Sequence, residues 1–110
     1  MAPEMITRKA GERANYGRPA DVWSFGMVVF ECLTYGVPYR NDNISNFELP
    51  NVIASGQRPG IDLRVKNDVT LQPLLDLFEA CTLKNPALRP TAGDVTRRLA
   101  VLETLERAEE

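Results

Sequence analysis

The hydrophobic residues of this chain fall into stretches with helical spacing, and no long run alternates apolar with polar residues. The strongest stretch predicts a helix from about Pro19 to Tyr35. Pro19 suits a first helical turn, where its missing N–H costs nothing, and Gly36 predicts the helix end. Apolar residues cover nearly the whole circumference of this stretch, a pattern typical of a buried helix. They are Val22, Trp23, Phe25, Met27, Val28, Val29, Phe30, Cys32 and Leu33.

Shorter elements are expected on either side of the long helix. The N-terminal residues predict a helical turn over Met5–Arg8 and then a polar loop over Lys9–Arg18. Beyond the long helix, a short helix is expected between Phe47 and Ser55, where Pro50 suits the first turn. Residues 57–69 contain Pro and Gly, lack an apolar period and predict a loop.

Two more helices are predicted in the last third of the chain. Thr70 is expected to cap a helix from Leu71 to about Leu83, whose apolar residues follow the spacing of one helical face. Thr91 is expected to cap the last helix, with Asp94 three residues on as a weaker relative of the capping box. Residues 106–110 place acidic side chains at the negative helix end and are expected to fray. The inner edge of the last helix is expected at Val95, Leu99 and Leu102, with Leu105 or Glu106 next.

The composition fits one domain, or part of a larger one. It also excludes several kinds of functional site. The chain has 110 residues, of which 44% are apolar and 25% charged, and its net charge of −2 gives no electrostatic case for nucleic acid. It contains no His, which excludes a His general base and His-containing metal sites. The longest apolar stretch, Val22–Leu33, is far shorter than the about 20 residues of a bilayer span. We therefore expect no membrane span and no secretory signal, and a location inside the cell, in the cytoplasm.

The chain has two cysteines, Cys32 and Cys81, which cannot form a zinc site alone. Each falls within an apolar helical pattern. Free Cys often behaves as a small buried hydrophobe, so both are expected to be buried, reduced thiols. A redox or disulfide role is the alternative.

Four strings, in order and at sensible spacing, resemble the second half of the large lobe of eukaryotic protein kinases. They are Ala2–Glu4 (Ala-Pro-Glu), Asp21–Gly26 (Asp-x-Trp-Ser-Phe-Gly), Gly56–Pro59 (Gly-x-Arg-Pro) and Cys81–Thr91. The resemblance covers essentially the whole chain. It implies a mostly α fold over residues 1–110, the helical sub-domain of a protein-kinase-like large lobe, with about four helices plus a short one after Ala-Pro-Glu.

The resemblance implies structural roles for Glu4 and Arg89. In the family, the Glu of Ala-Pro-Glu pairs with the Arg of the closing segment, so these two residues are expected to form a partly buried ion pair. Loss of one partner of a well-buried pair costs about 3–5 kcal/mol of stability. The alternative, two solvated charges, contributes about 0–1 kcal/mol.

The resemblance also implies structural roles at the start of the long helix. In kinases, the Asp at position 21 accepts hydrogen bonds from the catalytic-loop backbone, which is missing from these residues, so Asp21 keeps only a helix-dipole role. Trp23, like Phe25 and Phe30, is expected to be covered partly by upstream helices. Gly26 completes the Asp-x-Trp-Ser-Phe-Gly string.

The chain lacks the kinase strings that carry the chemistry. It has no Gly-x-Gly-x-x-Gly before a strand, no Val-Ala-x-Lys, no His-Arg-Asp and no Asp-Phe-Gly. Phosphoryl transfer depends on the positioning and electrostatics that these elements supply. We therefore expect no catalytic, cofactor-binding or metal-binding residue here, and expect ATP and Mg²⁺ to be bound only in the intact parent. The basic residues of Lys9–Arg18 are interpreted as a solvated loop rather than a substrate-docking site.

Three hypotheses follow. The first is a C-terminal portion of an ATP-dependent kinase acting on protein Ser/Thr, less so on Tyr because Thr82 stands where tyrosine kinases often have Trp. Its partners would be the missing N-terminal part and protein substrates, and Met1 would be an internal methionine. The second is a non-catalytic, truncated or degenerate kinase lobe that works as a protein-interaction module. The third, an unrelated small helical bundle, predicts no interaction between Glu4 and Arg89.

Overall fold

The computed structural model of the chain describes residues 2–6 and 18–109. Over these residues the fold is helical and contains no strand, which confirms the predicted fold class. The helices are α1 (Pro3–Ile6), α2 (Arg18–Thr34), α3 (Leu49–Ala54), α4 (Leu63–Lys66), α5 (Gln72–Cys81) and α6 (Ala92–Glu109). Two 3-10 turns, Val69–Leu71 and Pro86–Leu88, precede and follow α5.

The core lies where α2 packs against α5. The rings of Phe30 and Phe78 meet there with centroids 5.7 Å apart and planes tilted by 42°, a favourable arrangement for an aromatic pair. Trp23 and Leu75 are buried in the same cluster, and Ala2 of the N-terminal segment is completely buried against it. The core therefore joins the start of the chain to its last third.

The predicted ends of α2 and α6 agree with the structure. The helix α2 ends at Thr34. The Thr34 hydroxyl accepts a hydrogen bond from the Gly36 N–H at 3.2 Å. At the start of α6, the Asp94 N–H donates to Thr91 Oγ1 and the Thr91 N–H donates to Asp94 Oδ2, both at 3.1 Å. This reciprocal pair confirms the predicted capping box.

The segment before α5 differs from the prediction. Thr70 does not cap α5; its N–H instead donates to the Asp68 carboxylate, and the 3-10 turn intervenes before the helix begins at Gln72. The predicted loop over 57–69 contains α4, which begins where Asp62 accepts a hydrogen bond from the Arg64 N–H. Both differences arise because Asp side chains cap short helical turns that hold too few residues to show a period.

The apolar residues all round α2 are typical of a buried helix, but one side of the helix is exposed in this structure. Val28 is 52% exposed and Cys32 is exposed, whereas Met27 and Leu33 are buried. Cys32 is therefore not the buried thiol that its apolar neighbours predicted. Among the described residues, the neighbouring elements cover one side of α2 and leave the other exposed.

The predictions for the two ends of the chain can be compared with the structure only in part, because the structure describes residues 2–6 and 18–109. The N-terminal helical turn is present as α1, a little earlier than predicted, whereas residues 7–17, with most of the predicted polar loop and its basic side chains, lie outside the described residues. The helix α6 is described as far as Glu109, and the fraying of 106–110 stays a prediction. Within 2–6 and 18–109, no helix is both long and apolar enough to span a bilayer.

Candidate functional site

Arg89 is the centre of a buried junction between three parts of the chain. Its Nη1 donates to Glu4 Oε2 at 2.8 Å and its Nη2 donates to Glu4 Oε1 at 2.9 Å, a two-pronged ion pair. The same guanidinium donates to the carbonyls of Pro19 at 2.9 Å, Leu83 at 2.8 Å and Lys84 at 3.4 Å. Arginine has five N–H donors, and these five bonds use all of them.

Burial makes this junction a strong one. The Arg89 side chain is completely buried and that of Glu4 is 25% exposed. Burial raises the Glu4 pKa, but the hydrogen bonds from Arg89 and the charge of Arg89 outweigh it, and the net pKa lies below the ordinary value of 4.5. The carboxylate is therefore held in its charged form beside the buried cation. The geometry is that of a buried ion pair rather than of two solvated charges.

Gly26 packs directly against the C-terminal end of α5. A Cβ atom at this position would lie 2.7 Å from Thr82 Cγ2 and 2.9 Å from Cys81 Cβ, both too short for real contacts. The position therefore requires glycine because of the neighbouring helix end. The Cys81 thiol at this crossing is buried as predicted, and its burial raises its pKa.

A second arginine holds the turn after α3 against the same helix end. Arg58 Nε donates to Thr82 Oγ1 at 3.0 Å, and Arg58 Nη2 donates to the Glu79 carbonyl at 2.9 Å. The Thr82 hydroxyl in turn donates to the Phe78 carbonyl at 2.7 Å. Sequence reasoning noted the Gly-x-Arg-Pro string but not this contact, because the acceptors lie more than 20 residues further along the chain.

The remaining predicted site residues lie on opposite sides of α2. Trp23 is 4% exposed and belongs to the core between α2 and α5. Asp21 lies in the first turn of α2, as its helix-dipole role requires, and its side chain is exposed. It shares the exposed side with Ser24, Val28 and Cys32, at helical spacings of three and four residues. These four residues are called the open face of α2 below.

The described residues do not provide a metal site. No group of three or more His, Cys, Asp or Glu side chains within 2–6 and 18–109 could hold a metal ion. The charged groups at Arg89 and Arg58 are also engaged, Arg89 by its ion pair with Glu4 and its carbonyl contacts, and Arg58 by its hydrogen bonds to Thr82 and Glu79.

Comparison with known families gives a match that covers most of the chain. The family described as "Protein kinase domain" matches residues 1–99. The match includes the junction at Arg89, the close approach at Gly26 and the open face of α2.

Several curated proteins are similar to this chain. The Kinase and exchange factor for Rac B of Dictyostelium discoideum is 30% identical over 99 residues, which are 90% of this chain and 9% of that protein. A probable serine/threonine-protein kinase of the same organism is 35% identical over 82 residues, 74% of this chain and 6% of that protein. Human mitogen-activated protein kinase kinase kinase 4 is 35% identical over 95 residues, 86% of this chain and 5% of that protein. The chain thus spans less than a tenth of each of these three relatives.

Proposed function

Because the chain belongs to the protein kinase domain family, we propose that it is the C-terminal part of the large lobe of an ATP-dependent kinase. The intact enzyme would phosphorylate serine or threonine side chains of other proteins inside the cell. The observation that carries this proposal is the Glu4–Arg89 junction, which has the partners and burial that the family's pairing requires. Two of the relatives described above are named as a serine/threonine kinase and a mitogen-activated protein kinase kinase kinase, which supports Ser/Thr specificity.

In the proposed enzyme, these residues provide support rather than chemistry. The 110 residues contain none of the strings that hold nucleotide, metal or acceptor hydroxyl in kinases. ATP would supply the phosphoryl group and would be held, with Mg²⁺, by residues upstream of Ala-Pro-Glu. The 110 residues alone are therefore expected to show no rise in Tm with ATP and Mg²⁺, and a saturable rise would contradict this division of roles.

The dimensions of the chain support its place in a larger domain. Its extents are 53 × 32 × 17 Å, and its radius of gyration of 15.2 Å exceeds the about 13 Å of a compact 110-residue domain. Its accessible surface is 7835 Å², against about 6,100 Å² for a compact protein of this mass. A slab only 17 Å thick leaves little room to cover α2 on both sides. We propose that the N-terminal part of the kinase domain packs on the open face of α2.

A protein-interaction module without catalysis is the second candidate. The observation that favours it is the same exposed apolar surface, since Val28 and Cys32 could be covered by a partner protein instead of an N-terminal kinase segment. The two candidates differ in the size of the natural product. A complete kinase domain has about 250 residues, at the upper end of the usual domain range.

The deciding experiment combines product size with activity. An antibody against residues 99–110 would identify the natural product by immunoblot and recover it for a kinase assay with labelled ATP and a mixed protein substrate. The proposal expects a product of at least domain size that transfers phosphate to Ser and Thr, as read by phosphoamino acid analysis. A product of 12.3 kDa without activity would contradict it and favour the interaction module. Labelled phosphotyrosine alone would contradict the Ser/Thr specificity.

Thiol labelling tests whether the N-terminal part packs on the open face of α2. Cys32 is expected to react with Ellman's reagent in the 110-residue chain and to be protected in the longer natural product, because the missing part covers the open face. Cys81 is the internal control, since it is buried within this chain and should be protected in both. Equal reactivity of Cys32 in both proteins would contradict this packing.

A further inference from the structure

A cleft separates the C-terminal end of α2 from the segment that leads into α4. It has a volume of about 600 Å³, within the about 300–1,000 Å³ typical of ligand sites. Val37 and Val65 contribute accessible apolar side chains to its lining, and Asp42 and Asp62 contribute carboxylates. This cavity, here called the α2–α4 cleft, lies apart from the Arg89 junction and the open face of α2.

Two hydrogen bonds hold the walls of the α2–α4 cleft together. The Tyr39 hydroxyl donates to the Gln57 carbonyl at 2.6 Å, and the Gly60 N–H donates to Asp42 Oδ2 at 3.1 Å. Both bonds join the loop after α2 to the segment before α4. Tyr39 is 7% exposed, so its anchor is inside the protein. The cleft is therefore formed before any ligand arrives, which lowers the entropic cost of binding.

The carboxylates of the cleft retain capacity for a cation. A carboxylate has about four lone-pair sites, and backbone N–H groups take one on Asp42 and one on Asp62. The one cation among the lining residues, Arg64, lies 3.7 Å from Asp62 Oδ2 with its side chain 93% exposed. Such an exposed pair contributes little energy, so an incoming cation can replace it.

We propose that the α2–α4 cleft binds a peptide segment of a partner protein through an arginine side chain and an adjacent aliphatic residue. The aliphatic residue would contact Val37 and Val65, and the guanidinium would bind the carboxylates of Asp42 and Asp62. A guanidinium on a flexible apolar stem matches a site in which carboxylates border an apolar lining. In this assignment Arg64 is an intramolecular competitor for Asp62. The proposal involves neither ATP nor the N-terminal part of a kinase domain, and stands apart from the proposed function.

The test is a peptide titration of the full, ¹⁵N-labelled chain followed by NMR. The probe is the blocked peptide Ala-Leu-Arg-Ala-Ala, and the reference replaces its arginine with uncharged norleucine. The amides of Gly36 and Gly60, which line the cleft, should shift and saturate with the arginine peptide, while that of Gly93 in α6 should not. Absence of saturable shifts, or equal shifts with the norleucine peptide, would overturn the proposal.

Charge-neutralising variants locate the binding site. Asp42→Asn and Asp62→Asn should each weaken binding by roughly two- to fivefold, while Arg64→Ala should strengthen it by up to about fivefold. The amide oxygen of Asn can still accept the hydrogen bonds from the Gly60 and Arg64 N–H groups, so both Asn variants should retain the fold.

Asp68→Asn is the matched control, because Asp68 caps a turn in the same way but does not line the cleft. It should leave peptide affinity unchanged. Equal weakening by Asp68→Asn would indicate a general charge effect and overturn the proposal, as would weaker binding in Arg64→Ala.

Discussion

Gly26 lies against Thr82 at the end of α5, where a Cβ on Gly26 would lie only 2.7 Å from Thr82 Cγ2. The Thr82 hydroxyl on the same side chain donates to the Phe78 carbonyl and accepts from Arg58. Thr82 cannot move away from a larger residue without loss of these bonds. A single glycine of the Asp-x-Trp-Ser-Phe-Gly string thereby fixes the packing of three elements.

Gly26→Ala should lower the free energy of unfolding by about 1–3 kcal/mol, because overpacking at a rigid contact exceeds the about 1 kcal/mol gained from alanine's helix propensity. Chemical denaturation of the 110-residue chain measures it. Gly93→Ala is the matched control, since its Cβ would meet nothing closer than 3.7 Å. That variant should be unchanged or more stable. A Gly26→Ala variant as stable as Gly93→Ala would show that Thr82 and Cys81 can shift to accommodate a methyl group.

A double-mutant cycle should give a large coupling energy between Glu4 and Arg89. The expected value for Glu4→Gln and Arg89→Met is about 2–3 kcal/mol, since each single variant leaves a buried partner unpaired. Denaturant unfolding of the wild type, both single variants and the double variant provides the measurement. A coupling below about 1 kcal/mol would be that of a solvated pair and would contradict the buried ion pair.

Acid should destabilise the wild type more than the Glu4→Gln variant. The Glu4 pKa is lowered in the folded state, so its contribution is complete above the unfolded value of 4.5 and is lost as pH falls through the folded pKa. The difference in unfolding free energy between wild type and variant should therefore shrink below pH 4.5. Asp68 and Asp94 also have lowered pKa values, from hydrogen bonds made by Thr70 and Thr91. Both residues are present in wild type and variant, so their contributions cancel in the difference between the two proteins. A difference independent of pH would contradict the assignment.

Arg58 and Thr82 should act as one unit in stability. Arg58→Ala removes two hydrogen bonds from a charged donor and should cost about 1–3 kcal/mol. Thr82→Val removes the shared hydroxyl with little change in shape, and the double variant should cost less than the sum of the two. Urea unfolding measures all three, with Arg64→Ala as an exposed arginine that should cause no measurable change. Strict additivity would show that the two residues do not interact.

Local sequence signals predicted the elements whose causes lie within a few residues. The Thr91–Asp94 capping box and the end of α2 before Gly36 are of this kind. The α4 turn and the 3-10 turn at Asp68 were missed, because three or four residues cannot display a helical period. Of the proposed site, the sequence indicated the Glu4–Arg89 pair only through a family resemblance, since the two residues are 85 positions apart.

The sequence by itself determined the helical fold, the family and the identity of the residues that can form the Arg89 junction. Apolar periodicity, caps and motif strings are local properties and can be seen without coordinates. Only the tertiary structure decided which side of α2 is covered, so that Trp23 is buried while Val28 and Cys32 are exposed. It also decided that Arg58 meets Thr82 and that a cleft lies beside α4. The physical reason is that burial and long-range contacts depend on which elements are present to pack, and the hydrophobicity of one segment does not contain that information.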